Sequence, residues 1–147
     1  ALSRHAPRQA LALGYGATDI VSERGAEGLA RVMELTSGIG AHSVLECVGT
    51  QEAMDQALAC CRPGGTVGYV GVPHGISFSG EQMFFGQRRM MGGPAPVRRY
   101  LPNLMDRVLN GSLQPSKVFD MDIPLEEVAE GYRAMDERRA IKVLLRV

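Results

Sequence analysis

The sequence predicts an α/β protein built on a doubly wound parallel sheet. Short apolar, β-branched segments alternate with segments of helical period, and stops rich in Gly and Pro separate them. The first half follows the order β-α-β-α-β, which predicts parallel strands, right-handed crossovers and helices on both faces of the sheet. Because ligands of such sheets bind beyond the carboxyl ends of the strands, we expect the functional site at that edge.

The elements of the first half are predicted from hydrophobic period and from helix start and stop signals. Pro7 suits the first turn of a helix, and Thr50 can cap another helix whose apolar positions 53, 54, 57, 58 and 61 share one face. In chain order we predict a helix over residues 8–13, a short strand over 19–22, a helix over 28–36, a buried strand over 43–48, the helix capped by Thr50, a stop at 63–65 and an apolar strand over 66–72.

The second half is less regular. Residues 78–86 are apolar without a clear period, and residues 92–96 contain the Gly and Pro content of a loop. We expect the strands of this half to extend the same sheet. The predicted elements are an amphipathic helix over 97–109, a strand over 118–123, a helix from Pro124 to about Met135 and a final strand over 141–147.

Composition limits the function classes. The 147 residues fit one domain, and 16 basic against 16 acidic residues give no global field that would favour nucleic acid or a membrane surface. No apolar run reaches the roughly 18 residues of a membrane span. The three cysteines include an adjacent pair and no CxxC, so we expect buried free thiols in a reducing cytoplasm. The scattered histidines predict no metal site in this chain.

Seven short phrases, in their order and spacing, closely resemble the medium-chain dehydrogenase/reductase superfamily, especially its zinc-dependent alcohol dehydrogenase branch. The resemblance covers essentially the whole chain. It implies a Rossmann-like coenzyme-binding domain, incomplete at the N-terminus. The phrases are Gly16-Ala17-Thr18-Asp19, Leu45-Glu46-Cys47-Val48-Gly49, Arg62-Pro63-Gly64-Gly65, Val70-Gly71-Val72-Pro73, Gly92-Gly93, Pro124-Leu125-Glu126-Glu127 and Ile141-Lys142-Val143-Leu144-Leu145.

The resemblance also implies which parts are absent from this sequence. A complete member has an N-terminal barrel-like domain with the catalytic zinc, followed by a first βα unit with a glycine-rich turn that holds the pyrophosphate. Neither is present in residues 1–147, so we expect a fragment that is inactive alone and contains no catalytic residue. The parent would transfer hydride between NAD(P)H and an alcohol, aldehyde or ketone, with zinc supplied by the missing domain.

The adenosine end of the coenzyme is expected near the N-terminus. The position where NAD enzymes have a ribose-binding acidic residue corresponds to Ser3, which cannot repel a 2′-phosphate. Arg4 follows it, and Arg8 lies one helical turn further on; guanidinium groups bind phosphate oxygens in pairs of charge-assisted hydrogen bonds. We therefore predict NADP in preference to NAD. The alternative is that these are solvated charges at the start of a surface helix and that NAD is used.

The nicotinamide end is expected at two strand ends. The resemblance places the backbone of one near the riboses and that of the other near the carboxamide, while two methionines would run along the nicotinamide and a lysine would lie near a phosphate. The alternatives are a plain strand-to-helix turn, core packing for the methionines and an edge-strand lysine. The predicted contacts are Cys47, Val48, Gly49 and Thr50, then Val70, Gly71 and Val72, then Met90 and Met91, and finally Lys142.

Two other functions stay open at this stage. A zinc-independent quinone or enoyl reductase of the same superfamily would share these phrases, and a methyltransferase-like nucleotide-binding domain would share the Pro-Gly-Gly turn. For the dehydrogenase we expect a small-molecule substrate and a homo-oligomer, a dimer or a tetramer, joined through the edge strand at Met90 and Met91. His74 is interpreted as a loop histidine in water.

Overall fold

Every strand pair of the structure is parallel, which confirms the predicted α/β class. The structure, a computed structural model, describes residues 1–147. The chain divides into two units. The first contains Ala1–His5 and Asp19–Ala95, and the second contains Ala6–Thr18 and Pro96–Val147.

The first unit contains a three-stranded sheet in the order β1-β2-β3. Glu46 at the end of β1 lies opposite Tyr69 of β2, and Tyr69 lies opposite Gly92 of β3, so the carboxyl ends of all three strands meet at one edge. The elements are α2 (Gly25–Leu35), β1 (Ala41–Glu46), α3 (Gln51–Cys60), β2 (Cys61–Tyr69), α4 (Gly80–Gly86) and β3 (Arg89–Gly92).

Helix α3 forms as the sequence predicts. Thr50 is its N-cap, and its Oγ1 accepts a hydrogen bond from the Ala53 backbone N–H at 3.3 Å. The apolar face of α3 packs on β2 in a core cluster of Met54, Ala57, Leu58, Cys61 and Val67. Met54, Leu58 and Val67 are each 0% exposed, so this cluster is the main apolar anchor of the unit.

A second, smaller core lies behind α2, where Val21, Val32 and Cys60 pack together. Here the predicted strand over residues 19–22 is reduced to a single parallel bridge between Leu2 and Val21. Burial raises the pKa of the Cys60 thiol, which disfavours its reactive thiolate form. Cys60 and Cys61 are buried as predicted, but the expectation was wrong for Cys47, which is exposed at the strand-end edge.

Strand β2 departs from the prediction at both ends. It begins at Cys61, directly after α3, so residues 63–65 lie within the strand instead of forming a stop before it. The register against β1 shifts between Ala41 and Ser43, which accommodates the extra residues as a bulge. The strand ends at Tyr69, so Val70 and Val72 belong to the segment after it. The prediction that β1 is a buried strand was wrong at Leu45, which is 77% exposed.

The second unit contains α1 (Ala6–Gly14), α5 (Val97–Leu109), β4 (Met121–Pro124), α6 (Val128–Asp136) and β5 (Val143–Arg146). Short 3-10 turns precede β4 and α6, at Pro115–Val118 and Leu125–Glu127. Strands β4 and β5 pair only with each other, so the expectation that they extend the first sheet was wrong.

Two aspartates fix the pairing of β4 with β5. The Asp120 carboxylate accepts hydrogen bonds from the backbone N–H groups of Ile141 at 2.8 Å and Lys142 at 3.2 Å. Asp122 forms an exposed ion pair with Arg146, N to O 2.9 Å. Both carboxylates therefore have a structural partner. The final strand was predicted to begin at residue 141, but β5 begins at Val143, because the N–H groups of Ile141 and Lys142 donate to Asp120.

None of the helices has the length and apolar character that crossing a bilayer requires.

Candidate functional site

The ends of β1 and β2 approach each other so closely that only glycine fits. A Cβ added to Gly71 would lie 2.5 Å from the backbone N of Gly49 and 2.8 Å from the carbonyl carbon of Val48. A Cβ added to Gly49 would lie 2.8 Å from the carbonyl oxygen of Val72, and Gly49 has a positive φ of 87°. The structure therefore brings together the two segments predicted to contact the riboses and the carboxamide.

Glu46 organises this edge, and the sequence reasoning did not single it out as a site residue. Its side chain is buried, with 3% of the residue exposed. Its Oε1 accepts hydrogen bonds from the backbone N–H of Val48 at 2.6 Å and of Gly49 at 2.9 Å. Its Oε2 is buried and has no hydrogen-bond partner. The sequence did contain a signal for this role: Glu46 is a charged residue in an otherwise apolar strand, and a buried carboxylate must accept hydrogen bonds from nearby donors.

Apolar side chains are exposed around the same edge. Val48 is 66% exposed, Val70 is 67% exposed and Val72 is 69% exposed. Cys47 and Thr50 are also exposed. Three exposed valines beside two closely packed glycines give an apolar surface along the backbone, which suits a flat ring whose polar edge is bound by main-chain groups.

A methyl group at residue 71 is expected to disrupt this edge. Gly71→Ala should lower the free energy of unfolding by about 1–3 kcal/mol, because the new Cβ overlaps backbone that cannot move away cheaply. Coenzyme binding should weaken with it. The matched control is Gly80→Ala at the start of α4, where an added Cβ meets nothing within 4 Å. Urea denaturation and coenzyme titration of both variants check this; equal stability of the two would contradict it.

A cavity of about 510 Å³ lies in the first unit. It is lined by Arg4, one of the residues predicted to bind the adenosine end, and by Thr50 at the start of α3. Arg24, Gly25 and Ala26 at the start of α2 also line it. The cavity thus brings together two predicted contacts that are distant in sequence, and it adds Arg24, which the sequence reasoning did not select.

Ser3 is half-buried beside Arg4, and its Oγ accepts a hydrogen bond from the His5 backbone N–H at 3.3 Å. Its own N–H donates to the Val21 carbonyl at 3.0 Å. This pairing holds the segment before Arg4 in an extended form. Arg8 is exposed on α1 and belongs to the second unit.

The remaining predicted contacts lie elsewhere. Met90 packs against the main core, whereas Met91 is 70% exposed on β3, the edge strand of its sheet. Lys142 precedes β5 instead of lying within it, and it lines a cavity of about 260 Å³ in the second unit with Tyr132 and Val143. Neither methionine lines either of these two cavities. His74 is exposed in a loop.

The comparisons with known proteins agree with this geometry. Residues 1–110 match the family model described as zinc-binding dehydrogenase. The chain belongs to the zinc-binding dehydrogenase family. This confirms the resemblance to zinc-dependent medium-chain dehydrogenases, and it overturns the methyltransferase-like alternative.

Individual members of the family are similar over nearly the whole chain. It is 37% identical over 134 residues to a probable zinc-binding alcohol dehydrogenase of Mycobacterium tuberculosis, covering 90% of this chain and 34% of that protein. A zinc-type alcohol dehydrogenase B of Aspergillus flavus is 33% identical over 95% of this chain and 33% of its own length. The chain thus spans about a third of the length of these relatives.

Among solved structures, the alcohol dehydrogenase TADH from a Thermus species superposes with a TM-score of 0.88 at 32% identity. The match covers 98% of this chain and 43% of that one. An NAD-dependent alcohol dehydrogenase structure gives a TM-score of 0.83 at 29% identity. Dehydrogenase coenzyme domains therefore share the arrangement of strands and helices described above.

The family name raises the question of a metal site within this chain. No group of three or more His, Cys, Asp or Glu residues lies close enough together to hold a metal ion. Cys47 is exposed at the strand-end edge, and the other two cysteines are buried in apolar cores. The residues present here do not fit a catalytic zinc.

Proposed function

We propose that this chain is the coenzyme-binding part of an NAD(P)-dependent alcohol dehydrogenase, which interconverts an alcohol and an aldehyde or ketone. The observation that carries the proposal is the edge just after β1 and β2, where Gly49 and Gly71 let the two backbones approach closely beside the exposed side chains of Val48, Val70 and Val72. Membership of the zinc-binding dehydrogenase family supports it.

The residues of this edge would orient the coenzyme. Backbone groups of residues 70–72 would bind the carboxamide, and the exposed valines would exclude water from one face of the nicotinamide ring. Glu46 would hold the Val48 and Gly49 amides in place, since both donate to its Oε1. The bound coenzyme supplies or accepts the hydride, while the protein determines the position of the reacting carbon.

We propose NADP as the preferred coenzyme, with its adenosine end at the cavity that contains Arg4. Three features support this: Ser3 brings no carboxylate, the Arg4 side chain forms no ion pair within the protein, and the cavity volume of about 510 Å³ suits a nucleoside. NAD remains the alternative coenzyme. Met90, Met91, Arg8 and Lys142 stay predicted contacts.

A zinc ion in the full-length protein is proposed only because the chain belongs to the zinc-binding dehydrogenase family. The residues of this chain do not assemble a metal site, so no step of the reaction is assigned to a metal here. We also propose a small-molecule substrate and a homo-oligomer, a dimer or a tetramer, joined through β3, since this edge strand exposes most of Met91. The cytoplasmic location stays a prediction.

The test of the proposed reaction uses the full-length protein. Purified enzyme is incubated with NADP or NAD and a panel of primary and secondary alcohols, and reduced coenzyme is followed by its absorbance. We expect alcohol-dependent reduction that a chelator abolishes. Activity confined to conjugated ketones or quinones with NADPH, unaffected by the chelator, would instead establish the zinc-independent reductase.

The coenzyme preference is tested by Arg4→Ala. Loss of one guanidinium from a phosphate site should raise KM for NADPH about tenfold or more, while KM for NADH changes little, because hydrogen bonds between charged groups contribute about 1.5–3 kcal/mol. Initial rates with both coenzymes measure the ratio. A wild-type enzyme that prefers NADH, or a variant that loses both coenzymes equally, would refute the NADP proposal.

A further inference from the structure

Two arginines that are 20 positions apart in sequence line the same cavity. Arg4 follows the bridge between Leu2 and Val21, and Arg24 is the N-cap residue of α2. The pairing of residues 1–3 with Val21 holds these two segments side by side, with backbone hydrogen bonds of 2.9 and 3.0 Å. The backbone pairing thus brings both arginines to the lining of one cavity.

Neither guanidinium has a structural task that accounts for it. Arg24 occupies the N-cap position of α2, but a guanidinium has only donors and cannot accept from the free N–H groups of the first helical turn. No ion pair of the structure includes Arg4 or Arg24. Arg31, on the same helix, is different because it forms an ion pair with Glu34. The cavity is therefore lined by two arginines that form no ion pair, and its two carboxylates, Glu52 and Asp55, both come from α3.

The cavity has a charge asymmetry. Its carboxylates, Glu52 and Asp55, both belong to α3, and Asp55 already accepts a hydrogen bond from the Gln51 amide at 2.8 Å. The side formed by α2 adds Gly25 and Ala26 from the first helical turn, where backbone N–H groups lack intrahelical acceptors and the helix dipole is positive. An anion in the cavity is therefore most stable beside Arg4 and the start of α2.

We propose that Arg24 is a second specificity-determining residue for the coenzyme, binding the 2′-phosphate of NADP together with Arg4. The inference rests on the proposed function, because it needs the adenosine end at this cavity. A phosphate monoester has a charge of about −1.5 to −2 at pH 7 and three acceptor oxygens, enough for two guanidinium groups. An unphosphorylated ribose offers neither, so Arg24 discriminates between coenzymes instead of adding general affinity.

The experiment measures binding in the full-length protein without turnover. Isothermal titration calorimetry compares adenosine 2′,5′-bisphosphate with adenosine 5′-monophosphate, and NADPH with NADH. The variants are Arg24→Ala, Arg24→Lys and Arg4→Ala. Arg31→Ala is the matched control, since Arg31 lies on α2, is paired with Glu34 and does not line the cavity. Circular dichroism verifies that each variant is folded.

We expect Arg24→Ala to weaken binding of the bisphosphate and of NADPH by about tenfold to a hundredfold, and binding of the monophosphate and NADH by less than about twofold. Arg24→Lys should recover only part of the loss, because an ammonium cannot form the paired hydrogen bonds of a guanidinium. Arg31→Ala should match wild type. The discrimination should shrink as salt concentration rises.

The outcomes separate this inference from the proposed function. If Arg4→Ala loses the discrimination and Arg24→Ala retains it, NADP binding stands and the role of Arg24 is wrong. If Arg24→Ala weakens all four ligands equally, Arg24 supports the cavity in general and the inference is overturned. If wild type binds the bisphosphate no better than the monophosphate, the proposed NADP preference itself fails, and the inference fails with it.

Discussion

Replacement of Glu46 by alanine is expected to lower the free energy of unfolding by about 2–4 kcal/mol and to weaken coenzyme binding. The carboxylate accepts two backbone hydrogen bonds, from Val48 at 2.6 Å and from Gly49 at 2.9 Å, and Glu46 is only 3% exposed. Both hydrogen bonds are half-buried, and a hydrogen bond to a charged acceptor contributes about 1.5–3 kcal/mol, part of which water can replace. The loss of the buried charge offsets part of that cost.

The coenzyme effect has a separate physical origin. Without Glu46, the turn after β1 loses the acceptor that holds Gly49 against Gly71, where the backbones leave no room for a Cβ. A looser turn must be ordered again when the coenzyme binds, and that ordering reduces affinity. Because the effect arises from ordering, it should weaken NADPH and NADH alike, unlike the effect of Arg4→Ala.

Glu46→Gln distinguishes shape from charge. The amide oxygen can accept from both N–H groups, but neutral hydrogen bonds are roughly half as strong as charge-assisted ones, so we expect an intermediate stability. Glu34→Gln is the matched control, because Glu34 is an exposed partner of Arg31 and exposed ion pairs contribute only about 0–1 kcal/mol. Urea denaturation and coenzyme titration measure both effects. Stability of Glu46→Ala within about 0.5 kcal/mol of wild type would show that the two hydrogen bonds are dispensable.

Helix α3 was predictable because its causes are local. Thr50 caps the helix, and its apolar residues recur on one face. Strand β2 was harder, because residues 63–65 combine the usual features of a stop signal. In the structure they lie in a bulged strand that α3 feeds directly at Cys61. The pairing partner, and not the local sequence, decides where such a strand begins.

The candidate site shows the same division. Arg4 could be selected because it directly follows the position that discriminates between coenzymes. Arg24 could not, since its place in the cavity depends on the pairing of Val21 with the N-terminal segment. Glu46 was visible as a charge in an apolar strand, yet its hydrogen bonds to Val48 and Gly49 depend on how the following turn folds back. Long-range pairing is the information that a pattern search lacks.

Leu58→Ala is expected to lower the free energy of unfolding by about 2–5 kcal/mol, because it leaves a cavity in the main core. Leu58 is 0% exposed and packs in one cluster with Met54 and Val67, which joins α3 to β2. The same packing fixes the start of α3, including its cap residue Thr50, against the sheet.

The consequence for function is therefore indirect. Molecules that remain folded should bind the coenzyme with nearly unchanged affinity, since Leu58 does not line the cavity of Arg4, while the fraction folded and the melting temperature fall. Leu109→Ala is the matched control, because Leu109 is 79% exposed at the end of α5. Thermal unfolding, with coenzyme titration at a temperature where both variants are folded, checks this. If Leu58→Ala lost affinity while keeping its stability, α3 would have to move independently of the core, and the account of how packing positions Thr50 would be wrong.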